Sequence, residues 1–311
     1  ELDRVLGCRF EVAVFTNLTR DHLDFHSSLE RYFAAKAKLF TQYPLGTAVL
    51  NVDDPYGRRL AKMTRARVLT YGFRADADVR PEEVRCTLGG CKLVVCTPGG
   101  RMRISSPLLG ESNVYNILAA VAVAIAQGID PGDIRDGIRR LKSVPGRFEL
   151  IDEGQDFAVV DYAHTEDALR RTLVTARSLT ARHLITVFGC GGDRDPGKRA
   201  TMGAAAAELS DVVIVTSDNP RTEDPLGIIR AIEEGFQGVR MNGKFTSSIP
   251  DRRSAIEKAI NMAATGDVVV VAGKGHERYQ QIGTRRIPFE DQVVAREVLR
   301  KRMGRSRRGQ G

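Results

Sequence analysis

Apolar residues fall in short runs separated by polar, Gly- or Pro-bearing segments, and the spacing inside each run predicts its element. Phe10-Glu-Val-Ala-Val-Phe-Thr16 alternates as a strand does. A polar loop follows, Asn17-Leu-Thr-Arg-Asp-His-Leu-Asp-Phe-His26, dense in ligand-type residues. Ser27 with Glu30 is a capping-box signature and predicts a helix running to about Phe40. Thr47–Val52 predicts a strand ending at Asn51-Val-Asp-Asp-Pro55, and residues 67–105 read as β-rich. Asn113–Gln127 predicts an Ala-rich buried helix that stops at Gly128, and a second helix follows Pro131 and ends near Ser143.

At Val144-Pro-Gly146 the pattern changes, which predicts a domain boundary with units 1–145 and 146–303 and a basic tail 304–311. Beyond it, strands Phe157–Tyr162, His183–Phe188, Val212–Thr216 and Val268–Ala272 alternate with helices near 166–179, 198–209, 225–236, 251–264 and 290–302. Short apolar strands separated by helices imply an α/β unit whose mostly parallel sheet is covered on both faces. In such sheets ligands bind beyond the carboxyl ends of the strands. Four strands end in polar or Gly-rich clusters: Asp161-Tyr-Ala-His-Thr165, Gly189-Cys-Gly-Gly-Asp-Arg194, Ser217-Asp-Asn-Pro-Arg221 and Gly273-Lys-Gly-His-Glu277. Turn-making accounts for many of the glycines. It accounts poorly for His164, Arg194, Arg221, His276 and Glu277 at those tips, so one site along one sheet edge is expected.

Composition narrows the classes. The chain has 311 residues, 42% hydrophobic and 28% charged, which excludes a collagenous or mostly disordered chain. No apolar run is long enough to span a bilayer. The net charge of +8 is concentrated in residues 300–311, which hold six cations and no acid, so the body is near neutral. The tail is expected to be a solvated, disordered terminus rather than a nucleic-acid-binding surface. Five cysteines point to a reducing compartment. Cys86, Cys91 and Cys96 lie on an alternating segment with Gly89-Gly90 as its turn, which predicts a β-hairpin carrying structural thiols.

Two segments suggest chemistry by themselves. Gly192-Asp-Arg-Asp-Pro-Gly197-Lys198-Arg199 matches G-x-x-x-x-G-K but has Arg where a P-loop needs a hydroxyl for Mg²⁺, so it fails as a Walker A. It could still hold an anion at the following helix N-terminus. On the predicted helix 28–40, Leu29, Phe33, Ala37 and Phe40 define an apolar face, and Lys36 falls on it by spacing. Burial disfavours an ammonium, and a neutral amine is nucleophilic, including toward CO₂. The alternative is a lysine whose stem lies on the apolar face while its head reaches water.

Together these residues resemble the Mur ligases of peptidoglycan synthesis. The resemblance is carried by Thr16-Asn-Leu-Thr-Arg-Asp-His-Leu-Asp24, Tyr32-Phe-Ala-Ala-Lys-Ala-Lys-Leu-Phe40, Asn113-Val-Tyr-Asn-Ile-Leu-Ala-Ala120, Pro145-Gly-Arg-Phe-Glu149, Asp161-Tyr-Ala-His-Thr165, Thr216-Ser-Asp-Asn-Pro-Arg221 and Ala272-Gly-Lys-Gly-His-Glu277. It implies a truncated central ATPase domain followed by a Rossmann-like C-terminal domain. The implied activity joins an amino acid to the D-Glu side-chain carboxylate of UDP-N-acetylmuramoyl-L-Ala-D-Glu through an acyl phosphate, with ATP and Mg²⁺. It also implies a bacterial, cytoplasmic monomer. By motif, His22 and a carbamylated Lys36 would serve the second Mg²⁺, Asn116 the adenine, and Arg147, Asp161 and His164 the phosphates and ribose. Asp218-Asn-Pro-Arg221 resembles the branch that adds meso-diaminopimelate. There Arg221 would hold the distal carboxylate with Asn219 assisting, Glu277 and the Gly273 carbonyl would take the distal ammonium, and Arg194 would bind the carboxylate beside the reacting amine.

Departures from the family pattern are equally specific. Its Walker A loop, a metal-site Glu and the domain holding the UDP end would lie upstream of Glu1, so the fragment is expected to be inactive. Glu166 stands where the family usually has Pro. The competing readings are a Mur-type ligase adding L-lysine or another amine, and a non-catalytic amino-acid-binding module.

Overall fold

In the computed structural model the described residues are 5, 7–19, 26, 28–154, 157–240 and 244–308, with side chains described through Met303. The chain divides into two units, Glu1–Lys142 and Ser143–Gly311. The division lies three residues before the expected one, because Gly146 packs against the Gly275 and His276 backbone of the second unit.

In the first unit β1 (Phe10–Phe15), β2 (Leu45–Asn51) and β3 (Arg67–Tyr71) form a parallel sheet in that order. Side chains alternate across it. Ala48 and Leu50 pack with Phe33, Ala37 and Phe40 of α1 (Leu29–Thr41) and Leu60 of α2 (Pro55–Met63). Val49 and Leu69 point the other way, into a core with α3 (Glu111–Ala126) and α4 (Pro131–Arg140). That core is completed by an antiparallel sheet of β4 (Arg80–Thr87), β5 (Gly90–Thr97) and β6 (Gly100–Ser106), the β-rich stretch of the sequence.

Local differences from expectation have local causes. Ser28 caps α1, its Oγ accepting from Arg31 N at 3.3 Å, while Ser27 lies outside the described residues. Helix α2 was not expected; its signal is Asp54-Pro55, with Asp54 Oδ1 accepting from Tyr56 N at 2.7 Å and Pro in the first turn. The cysteine expectation is corrected: Cys86 and Cys91 stand directly opposite across β4 and β5 and are joined as a disulfide, whereas Cys96 and Cys190 are free. Opposed positions on adjacent strands bring side chains together, which spacing alone does not reveal.

In the second unit six strands lie in the order β11 (Phe245–Ser248), β10 (Val212–Val215), β9 (Leu184–Phe188), β12 (Val268–Ala272), β8 (Phe157–Asp161), β7 (Glu149–Asp152). All pairings are parallel except β7 with β8. Val268, Val270 and Ala272 face a core with α5 (Glu166–Leu179), α6 (Lys198–Leu209) and α7 (Pro225–Glu233). Val269 and Val271 face the opposite core with α8 (Arg252–Met262) and α9 (Asp291–Arg308). Both faces are therefore covered, as the unbroken apolar strands require. The edge strands β7 and β11 and a hairpin, β13 (Tyr279–Ile282) with β14 (Arg285–Pro288), were not expected. The tail is corrected too, because α9 continues to Arg308. Arg and Lys are good helix formers, and cations in a last turn complement the helix dipole. Among the described residues no helix is long and apolar enough to cross a membrane.

Candidate functional site

The parallel register aligns the carboxyl ends of β10, β9, β12 and β8, so their loops line one edge of the second unit. The loop after β9 and the loop after β10 touch at Gly192, where an added Cβ would fall on the Pro220 carbonyl oxygen. The Arg221 guanidinium donates to the Gly192 carbonyl. A Cβ on Gly191 would lie 3.0 Å from Arg221 Nη1 and 3.8 Å from Arg194 Cγ, so the two arginines flank one glycine. Arg199 and Glu223 lock these loops with hydrogen bonds of 2.8 and 2.9 Å, and Asp193 accepts from the Thr222 hydroxyl at 2.7 Å.

Arg221 has φ of 52°, a strained conformation for a non-glycine residue. The β13–β14 hairpin holds it there. Arg221 N donates to Gln281 O at 3.1 Å, and Gly283 N donates to Arg221 O at 2.6 Å. The same hairpin fixes the preceding residues: Gln281 N donates to Asn219 Oδ1 at 2.8 Å, and the Gln280 amide donates to Asp218 O at 2.8 Å.

The third loop supplies the opposite charge. Glu277 Oε2 accepts from Asn219 Nδ2 at 2.7 Å and from Lys274 Nζ at 3.0 Å. Lys274 is fully buried and also donates to Asn219 Oδ1 at 3.0 Å. Burial works to raise the Glu277 carboxyl, but the bonds from Lys274 and Asn219 and the charge of Arg221 outweigh it and hold it below the usual range. Both donors meet Oε2, which orients the carboxylate and leaves Oε1 to receive a cation. Asp218 differs. Its carboxyl lies under Gly273, where an added Cβ would sit 2.7 Å from Oδ2, and burial pushes it up against the pull of Arg252 and Lys274. The buried Cys190 thiol is pushed by its burial up to about 12, so the loop after β9 offers no thiolate nucleophile near neutral pH.

Toward β8, Arg147 and His164, two of the residues expected at the nucleotide, lie together with His276 against Tyr162. Arg147 Cζ lies 4.7 Å from its ring, and the His164 and His276 rings lie 4.6 and 5.0 Å away. His164 Nδ1 is 3.0 Å from the Tyr162 carbonyl, which only accepts, so in the neutral ring Nδ1 carries the proton. Asp161, partly exposed, also holds the local backbone. Its carboxylate accepts from Phe148 N (2.7 Å), Ala163 N (2.9 Å) and Thr172 Oγ1 (2.9 Å), so it shapes the two turns. Gly146, with φ of 65°, packs so tightly that a Cβ would overlap His276 N and the Gly275 backbone. Gly146→Ala is expected to cost about 1–3 kcal/mol by this overlap and strain, read as a lowered denaturant midpoint with an unchanged slope.

Two family models match the chain: the Mur ligase middle domain over residues 1–124 and the Mur ligase glutamate ligase domain over residues 146–275. Among curated proteins it is 52% identical over 303 residues to the UDP-N-acetylmuramoyl-L-alanyl-D-glutamate–2,6-diaminopimelate ligase of Solibacter usitatus, covering 96% of this chain and 61% of that protein. The like-named ligase of Gloeobacter violaceus is 50% identical, at 97% and 61% coverage. The chain belongs to the Mur ligases. A solved diaminopimelate ligase of this family superposes with a TM-score of 0.64 at 40% identity, over 96% of this chain and 61% of that one. The ADP complex of MurF ligase from Thermotoga maritima, at 19% identity and a TM-score of 0.71 over 94% and 62%, shares the fold. This Mur ligase chain thus spans about three-fifths of the length of the relatives it matches.

Asn116 is exposed on α3, its amide donating to Asn113 Oδ1 at 3.2 Å. His22 lies outside the described residues. Of its two readings, Lys36 follows the lysine that reaches water: it is exposed, with Nζ 5.0 Å from the Tyr32 ring centre. It sits on the flank of the Phe33–Ala37–Phe40 stripe, where a long side chain reaches solvent. Among the described residues no three His, Cys, Asp or Glu side chains gather as a metal site. The Mg²⁺ expectation therefore rests on the resemblance.

Several contributors escaped the sequence. Lys274 and Tyr162 lie within the strand-end clusters, but neither residue type nor spacing assigns them a role there. Asn51 Nδ2 donates to Thr16 O at 2.8 Å, and Asp54 Oδ2 accepts from Leu18 N at 3.0 Å, fixing the start of the polar loop after β1. At the start of α6, Asp195 accepts from Gly197 N at 2.9 Å, and Lys198 Nζ donates to His164 O at 2.8 Å.

Proposed function

We propose that the protein is an ATP-dependent ligase that joins meso-diaminopimelate to the D-Glu side-chain carboxylate of UDP-N-acetylmuramoyl-L-Ala-D-Glu. The observation that carries this reading is the polarity of the second unit's loops: two arginines flank Gly191, and a carboxylate held ionised by Lys274 and Asn219 lies within electrostatic reach of Arg221. A ligand with a carboxylate and an ammonium at its far end matches that layout. Lysine has only the ammonium and would leave Arg221 unpaired, which a site built for a charged group rejects strongly.

In the reaction the D-Glu carboxylate attacks the γ-phosphorus of ATP and ADP leaves, giving an acyl phosphate. The neutral amine of the incoming amino acid then attacks the acyl carbon, and the tetrahedral adduct expels phosphate as the amide forms and the amine loses its proton. The chain's own residues bind and orient. Arg194 takes the carboxylate beside the reacting amine, Arg221 with Asn219 takes the distal carboxylate, and Glu277 with the Gly273 carbonyl takes the distal ammonium. Arg147 and His164, both against the Tyr162 ring, suit the nucleotide, and Asn116 suits the adenine. Mg²⁺, with His22 and a carbamylated Lys36 on the metal side, would neutralise phosphoryl charge when bound. The likeness to named diaminopimelate ligases supports the same reading.

The test is amide formation by the complete gene product, supplied with ATP, the UDP-linked dipeptide and either meso-diaminopimelate or L-lysine. Preference for meso-diaminopimelate by at least about 10³-fold in kcat/KM is expected, since a polar site rejects an analogue lacking its partner group that strongly. Equal turnover of both amines would overturn the assignment of Arg221.

A further inference from the structure

Beneath the amino-acid loops lies an ion pair with no exposure on either side, Arg252 with Asp291. Arg252 Nε donates to Asp291 Oδ1 at 2.8 Å and Nη2 to Oδ2 at 2.7 Å, a bidentate fork. The other edge of the guanidinium is aimed at the sheet. Nη2 donates to Ala272 O at 3.0 Å and Nη1 to Ser217 O at 3.4 Å. Those carbonyls stand where β12 enters the loop carrying Lys274 and Glu277, and just past β10, where the chain enters the loop carrying Asn219 and Arg221. A single planar group therefore spans the bases of both loops. The neighbouring Gln292 adds a second tie, its amide donating to Gly275 O at 2.8 Å.

Fold stability alone explains this poorly. Two charges taken wholly out of water recover little net stability, and apolar residues of similar volume often serve as well. The fork does what apolar residues do not: it fixes the separation of two backbone segments whose side chains must meet one ligand. We infer that Arg252, held in place by Asp291, is a positioning residue for the amino-acid site, setting the distance between the loop bearing Asn219 and Arg221 and the loop bearing Lys274 and Glu277. The inference deepens the function proposed above and rests on its amino-acid site.

The test uses the complete gene product with the double substitution Arg252→Met and Asp291→Leu, and with Arg252→Lys alone. The first replaces the pair by apolar groups of comparable size. The second keeps the charge and loses the fork. In the double variant the amino-acid KM is expected to rise about tenfold or more, because misplacement of an ångström remote from the chemistry costs up to about a hundredfold. The ATP KM should stay within about twofold and the melting midpoint unchanged, as for an independent site. Arg252→Lys should fall between the double variant and the unsubstituted protein.

An amino-acid KM that stays within about twofold in a variant that folds overturns the inference, as does a rise shared equally by the ATP KM. Loss of the fold in both variants assigns the pair to stability alone and overturns it too. The amine-preference assay keeps the two readings apart. If the unsubstituted protein prefers lysine or another amine, the proposed substrate falls and the clamp is judged on that amine's KM. If no amine is ligated, both fall.

Discussion

Arg221→Leu is expected to lower kcat/KM for meso-diaminopimelate by about 10²–10³-fold, the effect of removing one partner of a desolvated, hydrogen-bonded charge pair. L-lysine should lose less than about tenfold, because a ligand without the distal carboxylate forfeits no ion pair. The guanidinium is pre-aimed: its Nη1 is tied to the Gly192 carbonyl, and its backbone is held on both sides by the β13–β14 hairpin. Little rotamer entropy is left to lose on binding, so the full charge-assisted contact goes to recognition. Arg221→Lys should fall between, since a point charge replaces a fork. Parallel steady-state assays with the two amines check this. A loss shared equally by both would mean that Arg221 supports the loop rather than reading the carboxylate.

Lys274→Met is the second large effect, and it acts on stability and on pH dependence together. Lys274 is completely buried and Glu277 keeps 22% exposure, so removing the ammonium takes the counter-charge from a largely desolvated carboxylate, which keeps its bond from the Asn219 amide, while Asn219 Oδ1 keeps its bond from Gln281 N. A cost near the lower end of the range for breaking such pairs, about 3 kcal/mol, is expected from denaturant unfolding at neutral pH. The sign with pH follows from the direction of the Glu277 shift. Its carboxyl is held below the usual range, so its contribution is fully present above the unfolded value of about 4.3 and is lost as pH falls through the lower folded value. Without Lys274 the largest opposing influence on Glu277 is burial, which raises it. The acid limb of the amino-acid KM profile should therefore move to higher pH in the variant. An unmoved limb would show that Lys274 does not keep Glu277 ionised for the substrate.

The two predictions differ in how visible their residues were. Arg221 stood at a strand end in a Ser-Asp-Asn-Pro-Arg cluster, where neither turn-making nor packing calls for an arginine. Lys274 stood in an equally conspicuous cluster, but its part depends on Asn219, 55 residues earlier, which no local spacing reports. Asp161 shows the reverse case. Its position at a strand tip beside His164 marks it as part of a site, and its carboxylate also accepts from Phe148, Ala163 and Thr172, contacts that no spacing reports. A polar residue at a strand tip is thus legible as part of a site, while its division of labour between ligand and loop is not.

The sequence alone determined the two α/β units, the doubly covered parallel sheet, and the edge at which the loops after β9, β10, β12 and β8 come together. Period-two and period-3.6 patterns and Gly or Pro punctuation are local consequences of backbone geometry, so they survive without any knowledge of the fold. Only the tertiary structure decided that Lys36 reaches solvent from the flank of its apolar stripe, that Cys86 meets Cys91, and that Gly146 lies against Gly275. It alone brought Arg252 and Asp291 together, two residues 39 positions apart at the starts of different helices, beneath the loops of the site. Those contacts depend on which helix ends share one buried layer, and such a layer leaves no periodic trace in the chain.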